Sequence, residues 1–137
     1  MTLAVFANFR IDSNERLKRM KDSYYSFGTI KINQWVINIR GKYKKSAAKF
    51  LNQKIGKKLY LSTFETGNGW FFDSKIIAKK ISSDYVFFWV EDHICTCGRK
   101  KFNQIIEEIK ENNIEYFQYS WFGNGLLLKE FRNIKKK

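Results

Sequence analysis

The chain has no proline, only two cysteines and a single histidine in 137 residues, and its bases outnumber its acids 26 to 13. Cys95 and Cys97 are separated by one residue. So close a pair cannot staple distant segments together, which argues against a disulfide-built secreted scaffold and for a soluble cytoplasmic protein with reduced thiols. No stretch approaches the roughly 18 uninterrupted apolar residues of a membrane-spanning helix. Met1-Thr2-Leu3-Ala4-Val5-Phe6 carries no basic segment ahead of its apolar run and soon meets Arg10 and Asp12, so it reads as a strand and not as a signal peptide. The missing proline accompanies abundant Lys, Ile, Asn, Phe and Tyr. That mixture indicates a bias toward A/T-rich codons, which raises lysine without a functional demand.

Apolar content is 44%, with thirteen Phe, seven Tyr and four Trp, which excludes a disordered chain. The length suits one domain with a core of its own. The net charge of +13 favours anionic partners. Phosphates, nucleic acids and an anionic membrane surface touched from one side all qualify, and charge alone does not choose among them.

Apolar runs alternate with helical patterns throughout. Leu3 to Phe9 reads as a buried strand, and Asp12-Ser13-Asn14-Glu15 as a capping box led by Asp12. Leu17, Met20, Tyr24 and Phe27 give the next helix its spacing, ended at Gly28. Gln34 to Ile39 is a second strand, closed by Arg40-Gly41; Ala47, Ala48, Leu51 and Ile55 mark a second helix before Gly56. Lys58 to Phe64 is a third strand, followed by a Gly67-Asn68-Gly69 break and a helix from about Asp73 to Ile81. Asp84 to Val90 is the most apolar strand and hence the expected sheet centre. Phe102, Ile105, Ile106 and Ile109 define an amphipathic helix, and Tyr116 to Phe122 a fifth strand leading to Gly123-Asn124-Gly125. The pattern predicts an α/β fold: one domain over 1–137, an open, mainly parallel sheet, and helices on both faces. Ligands of such sheets bind at the carboxyl ends of strands where strand order reverses, so functional residues are expected after strands one, two and four.

Glu91-Asp92-His93 follows the fourth strand directly. Carboxylates are rarely buried unless paired or bound to metal, and hard divalent ions such as Mg²⁺ or Mn²⁺ take carboxylate oxygens, phosphates and water, Mn²⁺ also imidazole. A strand ending in a polar turn is the plainer alternative. Zinc at His93, Cys95 and Cys97 is disfavoured, because zinc sites use cysteine pairs about two to four residues apart together with a second pair elsewhere. Lysines and arginines gather at Lys42-Lys44-Lys45-Lys49, Arg99-Lys100-Lys101 and Lys135-Lys136-Lys137. The first two groups open helices after strand ends, where they could meet a diphosphate or a nucleic-acid backbone; a solvated helix face is the ordinary explanation. Trp70-Phe71-Phe72 and Tyr119-Ser120-Trp121-Phe122 are expected in the core, although such rings also stack on bases and sugars.

An apolar strand, an acidic cluster and then a helix together resemble the aspartate motif of GT-A glycosyltransferases, above all the large family 2 group. Val5-Phe6-Ala7-Asn8-Phe9-Arg10 with Glu15-Arg16-Leu17 and Ser23 is similar to that family's first strand and helix, Gly67-Asn68-Gly69 with Ala78 to its Asn/Gly turn and helix, and Ser83 to Phe88 to its run into the acidic strand. The likeness spans roughly residues 3 to 95. It implies a Rossmann-like donor-binding half that holds a nucleoside-diphosphate sugar through a divalent metal, Mn²⁺ or Mg²⁺, for glycosyl transfer to a glycan, lipid or protein acceptor. Asp92 would coordinate the ion with His93, in a place usually held by another acid, and Glu91 would flank it; Arg10, Asp12 and Arg40 would line the nucleotide pocket. For those last three, ordinary solvated loop charges remain the alternative. The family's Asp-Gly-Ser segment after strand two is here Ile39-Arg40-Gly41-Lys42, so base recognition must differ or be lost. The acceptor half and catalytic base of the family lie beyond this length, leaving either a donor half or a degenerate relative. A basic nucleic-acid-binding module and a non-catalytic interaction domain are the competing readings.

Overall fold

The computed structural model describes residues 2–27, 30–96 and 98–117. Its elements are β1 (Leu3–Arg10), α1 (Asn14–Phe27), β2 (Gln34–Arg40), α2 (Lys44–Ile55), a 3₁₀ turn (Gly56–Lys58), β3 (Leu59–Ser62), α3 (Trp70–Ala78), β4 (Tyr85–Phe88) and α4 (Gly98–Glu111). The four strands form one parallel sheet in the order β3-β2-β1-β4. The fold is α/β, as expected. The chain divides into two compact units, residues 1–105 and 106–137.

In the first unit, β1 and β2 are buried along almost their whole length, as strands flanked on both sides and covered on both faces must be. Register then assigns the faces. Val5 lies beside Trp35 on one side and Phe87 on the other. This row meets α1, α2 and α4: Phe27 stacks on Trp35 with centroids 6.0 Å apart and meets Phe87 edge-on at 5.6 Å, Tyr24 meets Phe50 at 5.5 Å, and Phe87 meets Phe102 at 5.6 Å. Burial pushes the Tyr24 hydroxyl pKa up, with a smaller push from Tyr25. The next row, Phe6 and Val36, packs under Ile77 of α3 with Ala78 and Ile81. Helices therefore cover both faces.

Four expectations need correction. The most apolar run gives β4, yet β4 is an edge strand of the described sheet, with Val86 and Phe88 exposed. Its main contribution to the core is Trp89, just past the strand, which is buried against Phe9, Tyr24, Phe27 and Trp35. The cap of α1 is Ser13, whose Oγ accepts from Arg16 N at 3.2 Å; Asp12 reaches across to accept from Lys42 N at 3.2 Å. Helix α3 starts at Trp70, because Gly69 at φ 96° turns the chain there, and Asp73 is buried one turn in, accepting from Thr66 N and Oγ1. Trp70, Phe71 and Phe72 are exposed and not core.

In the second unit the described residues complete α4. Asn113 sits at φ 49°, with its N–H on Lys110 O at 3.2 Å and the Ile114 N–H on Ile109 O at 2.9 Å, the paired bonds of a left-handed helix stop. Tyr116 and Phe117 are not in a strand. The rest of the expected fifth strand, Gly28, Cys97, Gly123-Asn124-Gly125 and the terminal lysines lie outside the described residues. Among the described residues no helix is long and apolar enough to cross a membrane.

Asp84 ties the amino end of β1 to β4. Its carboxylate accepts from Thr2 N at 2.7 Å and Thr2 Oγ1 at 3.0 Å, and the Thr2 backbone bond lowers its pKa most. A carboxyl group whose pKa is lowered on folding stabilises above its unfolded pKa, about 3.9, and that contribution is lost as pH falls through the folded value. Asp84→Ala is therefore expected to lower Tm at neutral pH, with the gap to the wild type narrowing below pH 4 or so. Thermal melts across the acid range check this.

Candidate functional site

From β1 the chain builds outward to β2 and β3, then returns to place β4 on the other side of β1. Strand order thus reverses between β1 and β4, and the segments leaving their carboxyl ends flank the crevice where open sheets bind ligands. Backbone bonds fix both exits: Ile11 N on Arg40 O at 2.9 Å and Tyr43 N on Ile11 O at 2.9 Å join the turns after β1 and β2, and Trp89 N bonds Phe6 O at 2.9 Å.

The acidic turn is held from below by α1. Buried Ser23 accepts the Trp89 indole N–H at 2.8 Å and donates its own hydroxyl to the His93 carbonyl; Ser26 Oγ accepts from Cys95 N at 2.8 Å. His93 N closes the turn on Val90 O at 3.1 Å. Of the three residues, Glu91 faces inward: its side chain is 19% exposed and lies 3.9 Å from Arg16, which also donates to Arg10 O at 3.1 Å. Arg16 therefore links the exits of β1 and β4. Asp92 and His93 point to solvent, with Oδ1 and Nε2 3.9 Å apart.

A second cluster lies over the ends of β1 and β2. Asn8 and Asn38 are register partners, and so are Arg10 and Arg40. Asn38 Nδ2 donates to Asn8 Oδ1 at 3.0 Å, and Arg40 Nε donates to the same oxygen at 3.2 Å. Asn38 also accepts from Ser62 Oγ and Phe64 N, each at 2.8 Å, and donates to Phe64 O at 2.9 Å, which draws the loop after β3 over the strand ends. That loop delivers Glu65, whose Oε1 is bonded to Arg10 and lies 3.7 Å from Arg40. Arg10 is also 3.8 Å from Asp12. The Trp70 indole donates to Asn8 O at 2.9 Å, fixing a half-exposed ring beside this cluster.

The structure thus brings Arg10, Asp12 and Arg40 together, and joins Glu91 to them through Arg16. Sequence reasoning missed Glu65, Arg16 and the two asparagines. One signal was available: Asn8-Phe9-Arg10 and Asn38-Ile39-Arg40 repeat one Asn-apolar-Arg pattern at the ends of two apolar strands. Lys42, Lys44 and Lys45, before and at the start of α2, follow the carboxyl end of β2 and add positive charge there.

Among the described residues no three His, Cys, Asp or Glu side chains form a metal-holding group. Asp92 and His93 nevertheless offer one carboxylate and one imidazole side by side, and Mg²⁺-type sites commonly use one or two protein ligands with substrate phosphates and water completing the shell. A hollow of about 470 Å³ lined by Thr2, Gln34, Lys58, Tyr60 and Ser82 opens at the amino ends of the strands. That is the end of an open sheet opposite to where ligands bind. No family model, curated protein or solved structure matches the chain.

Proposed function

We propose that the chain binds a nucleoside-diphosphate sugar and serves as the donor-binding part of a glycosyltransferase of the GT-A type, similar to the family 2 group. The observation that carries this reading is the convergence of Arg10, Asp12 and Arg40 with the Glu91-Asp92-His93 turn where strand order reverses, with Arg16 spanning the two exits. Guanidinium groups recognise phosphate oxygens by charge and paired donors. On this reading Arg10 and Arg40, which share Glu65 here, would turn to the anionic part of the donor, while Asp12 orders the turn after β2 and Glu91 anchors the acidic turn through Arg16. Asp92 and His93 are the residues that would hold the divalent ion. The chemistry such an ion supplies is neutralisation of charge on the departing diphosphate.

Titration of UDP and GDP with and without Mn²⁺, against the wild type and Asp92→Ala, tests the reading. Tight binding is expected only with the metal, weakened in the variant by a factor on the order of 10–100. Binding of nucleic acid that falls steeply with salt and ignores both metal and Asp92 would move the assignment to a basic nucleic-acid module. A folded protein that binds nothing in any condition would leave an interaction domain without the chemistry.

A further inference from the structure

Helix α3 is turned inside out. Its inward residues are Asp73, Ser74 and Ile77, and two of these three are polar: Asp73 accepts from Thr66 Oγ1 at 2.5 Å, and Ser74 Oγ accepts from Asn8 Nδ2 at 2.8 Å. The outward residues include Trp70, Phe71, Phe72 and Ile76, at 48%, 68%, 58% and 47% exposure. A surface helix ordinarily buries its apolar stripe and wets its polar one. Here the polar side is consumed by the Asn8 network and the Thr66 loop, and the apolar side faces outward. Lys75 lies one turn beyond Phe71, and Lys79 caps the helix one turn beyond that, so the two lysines stand between Phe71 and the Phe72–Ile76 line on the outer face. Both lysines are exposed, as is Lys80, and the only acid in α3, Asp73, is buried.

We infer that the outer face of α3 docks on an anionic lipid surface, lying in its plane with Phe71, Phe72 and Ile76 in the headgroup–acyl boundary and Lys75 and Lys79 on the headgroups. Tryptophan and other rings with an apolar body suit that boundary, and lysine near it gains from anionic lipid. Charge complementarity selects this occupant. A second copy of the same face would oppose Lys75 and Lys79 to like charges, and a nucleic acid, even with bases stacked on Phe71 and Phe72, would leave the aliphatic Ile76 in water. The inference stands on α3 and does not use the nucleotide site.

The full-length chain is sedimented with vesicles of phosphatidylcholine alone and of phosphatidylcholine mixed with phosphatidylserine. Binding is expected only to the mixed vesicles. The paired variant Phe71→Ser and Phe72→Ser is expected to lose on the order of tenfold or more in partitioning. Lys75→Glu with Lys79→Glu is expected to lose a similar factor by removing the headgroup contacts. Lys31→Glu with Lys57→Glu, an equal charge change at exposed sites elsewhere, is expected to change it little. Circular dichroism confirms folding, which exposed substitutions leave intact. Three results would overturn the inference: no binding to the mixed vesicles, equal losses in both lysine pairs with none in the phenylalanine pair, or a solution dimer that the phenylalanine pair converts to monomer.

Discussion

Asn38→Ala is expected to destabilise the protein by about 3 kcal/mol, lowering Tm by roughly 10–20 °C. Asn38 is fully buried and spends its amide on four partners: Asn8 Oδ1, Phe64 O, Phe64 N and Ser62 Oγ. Alanine leaves a backbone N–H and a backbone C=O of Phe64 without those bonds, each costing about 1–3 kcal/mol if it stays away from water. The chain can lower that cost only by lifting the loop after β3, and the loop carries Glu65. Arg10 and Arg40 would then lose the carboxylate they share, so the variant should lose order at the candidate site as well as stability. Urea unfolding compares it with Asn52→Ala, an exposed asparagine whose loss should cost less than about 0.5 kcal/mol. Equal midpoints for the two variants would mean that Thr66 and Asp73 alone hold the loop.

The parallel α/β arrangement was legible because β1 and β2 are short, mainly apolar runs and the intervening helices carry their apolar residues at helical spacing. Strand position was harder to read. Asp84 to Val90 looks like a central strand, since periodicity reports how apolar a segment is and not what lies beside it; its strongest core residue is Trp89, outside the ladder. The same limit misplaced Trp70-Phe71-Phe72. Three consecutive rings suggest burial, but Gly69 starts the helix early, and Asp73 and Ser74 take the inward positions.

At the site, charges at or just past the ends of β1, β2 and β4 were readable, because strand ends converge in any parallel sheet: Arg10 and Arg40 close β1 and β2, and Asp12 and Glu91 follow β1 and β4. Glu65, after β3, was not: it is 55 residues from Arg10 and reaches it because Asn38 captures the Phe64 backbone on one side and Asp73 captures Thr66 on the other. Asp12 shows a competition that local rules do not resolve. It stands three residues before Glu15, as a capping box requires, yet Ser13 is nearer the helix and takes the cap, which releases Asp12 to bond Lys42 N. The result places a carboxylate at the start of the turn after β2.

Gly41→Ala is expected to cost about 2–4 kcal/mol and, on the function proposed above, to remove nucleotide binding along with it. Gly41 has φ +94°, a conformation that strains any residue with a Cβ, and a methyl group there would lie 2.5 Å from Asp12 Oδ1 and 2.8 Å from Ile11 O. The Asp12 side chain could swing aside, but Ile11 O is backbone and already accepts from Tyr43 N at 2.9 Å. Relief therefore requires separating the turns after β1 and β2, which parts Asp12 from Lys42 N and shifts the strand end carrying Arg40. Gly56→Ala supplies the comparison: φ is +66° with ψ −133° and nothing lies within 4 Å of the added carbon, so only the conformational cost of about 1–3 kcal/mol is expected. Unfolding curves for both variants, with UDP titration at a temperature where each is folded, separate the two effects. If Gly41→Ala costs no more than Gly56→Ala, the contact between the two turns is looser than these distances require. If it costs more and yet binds nucleotide normally, Asp12 and Arg40 lie outside the nucleotide site, and binding through the acidic turn alone would have to carry the donor assignment.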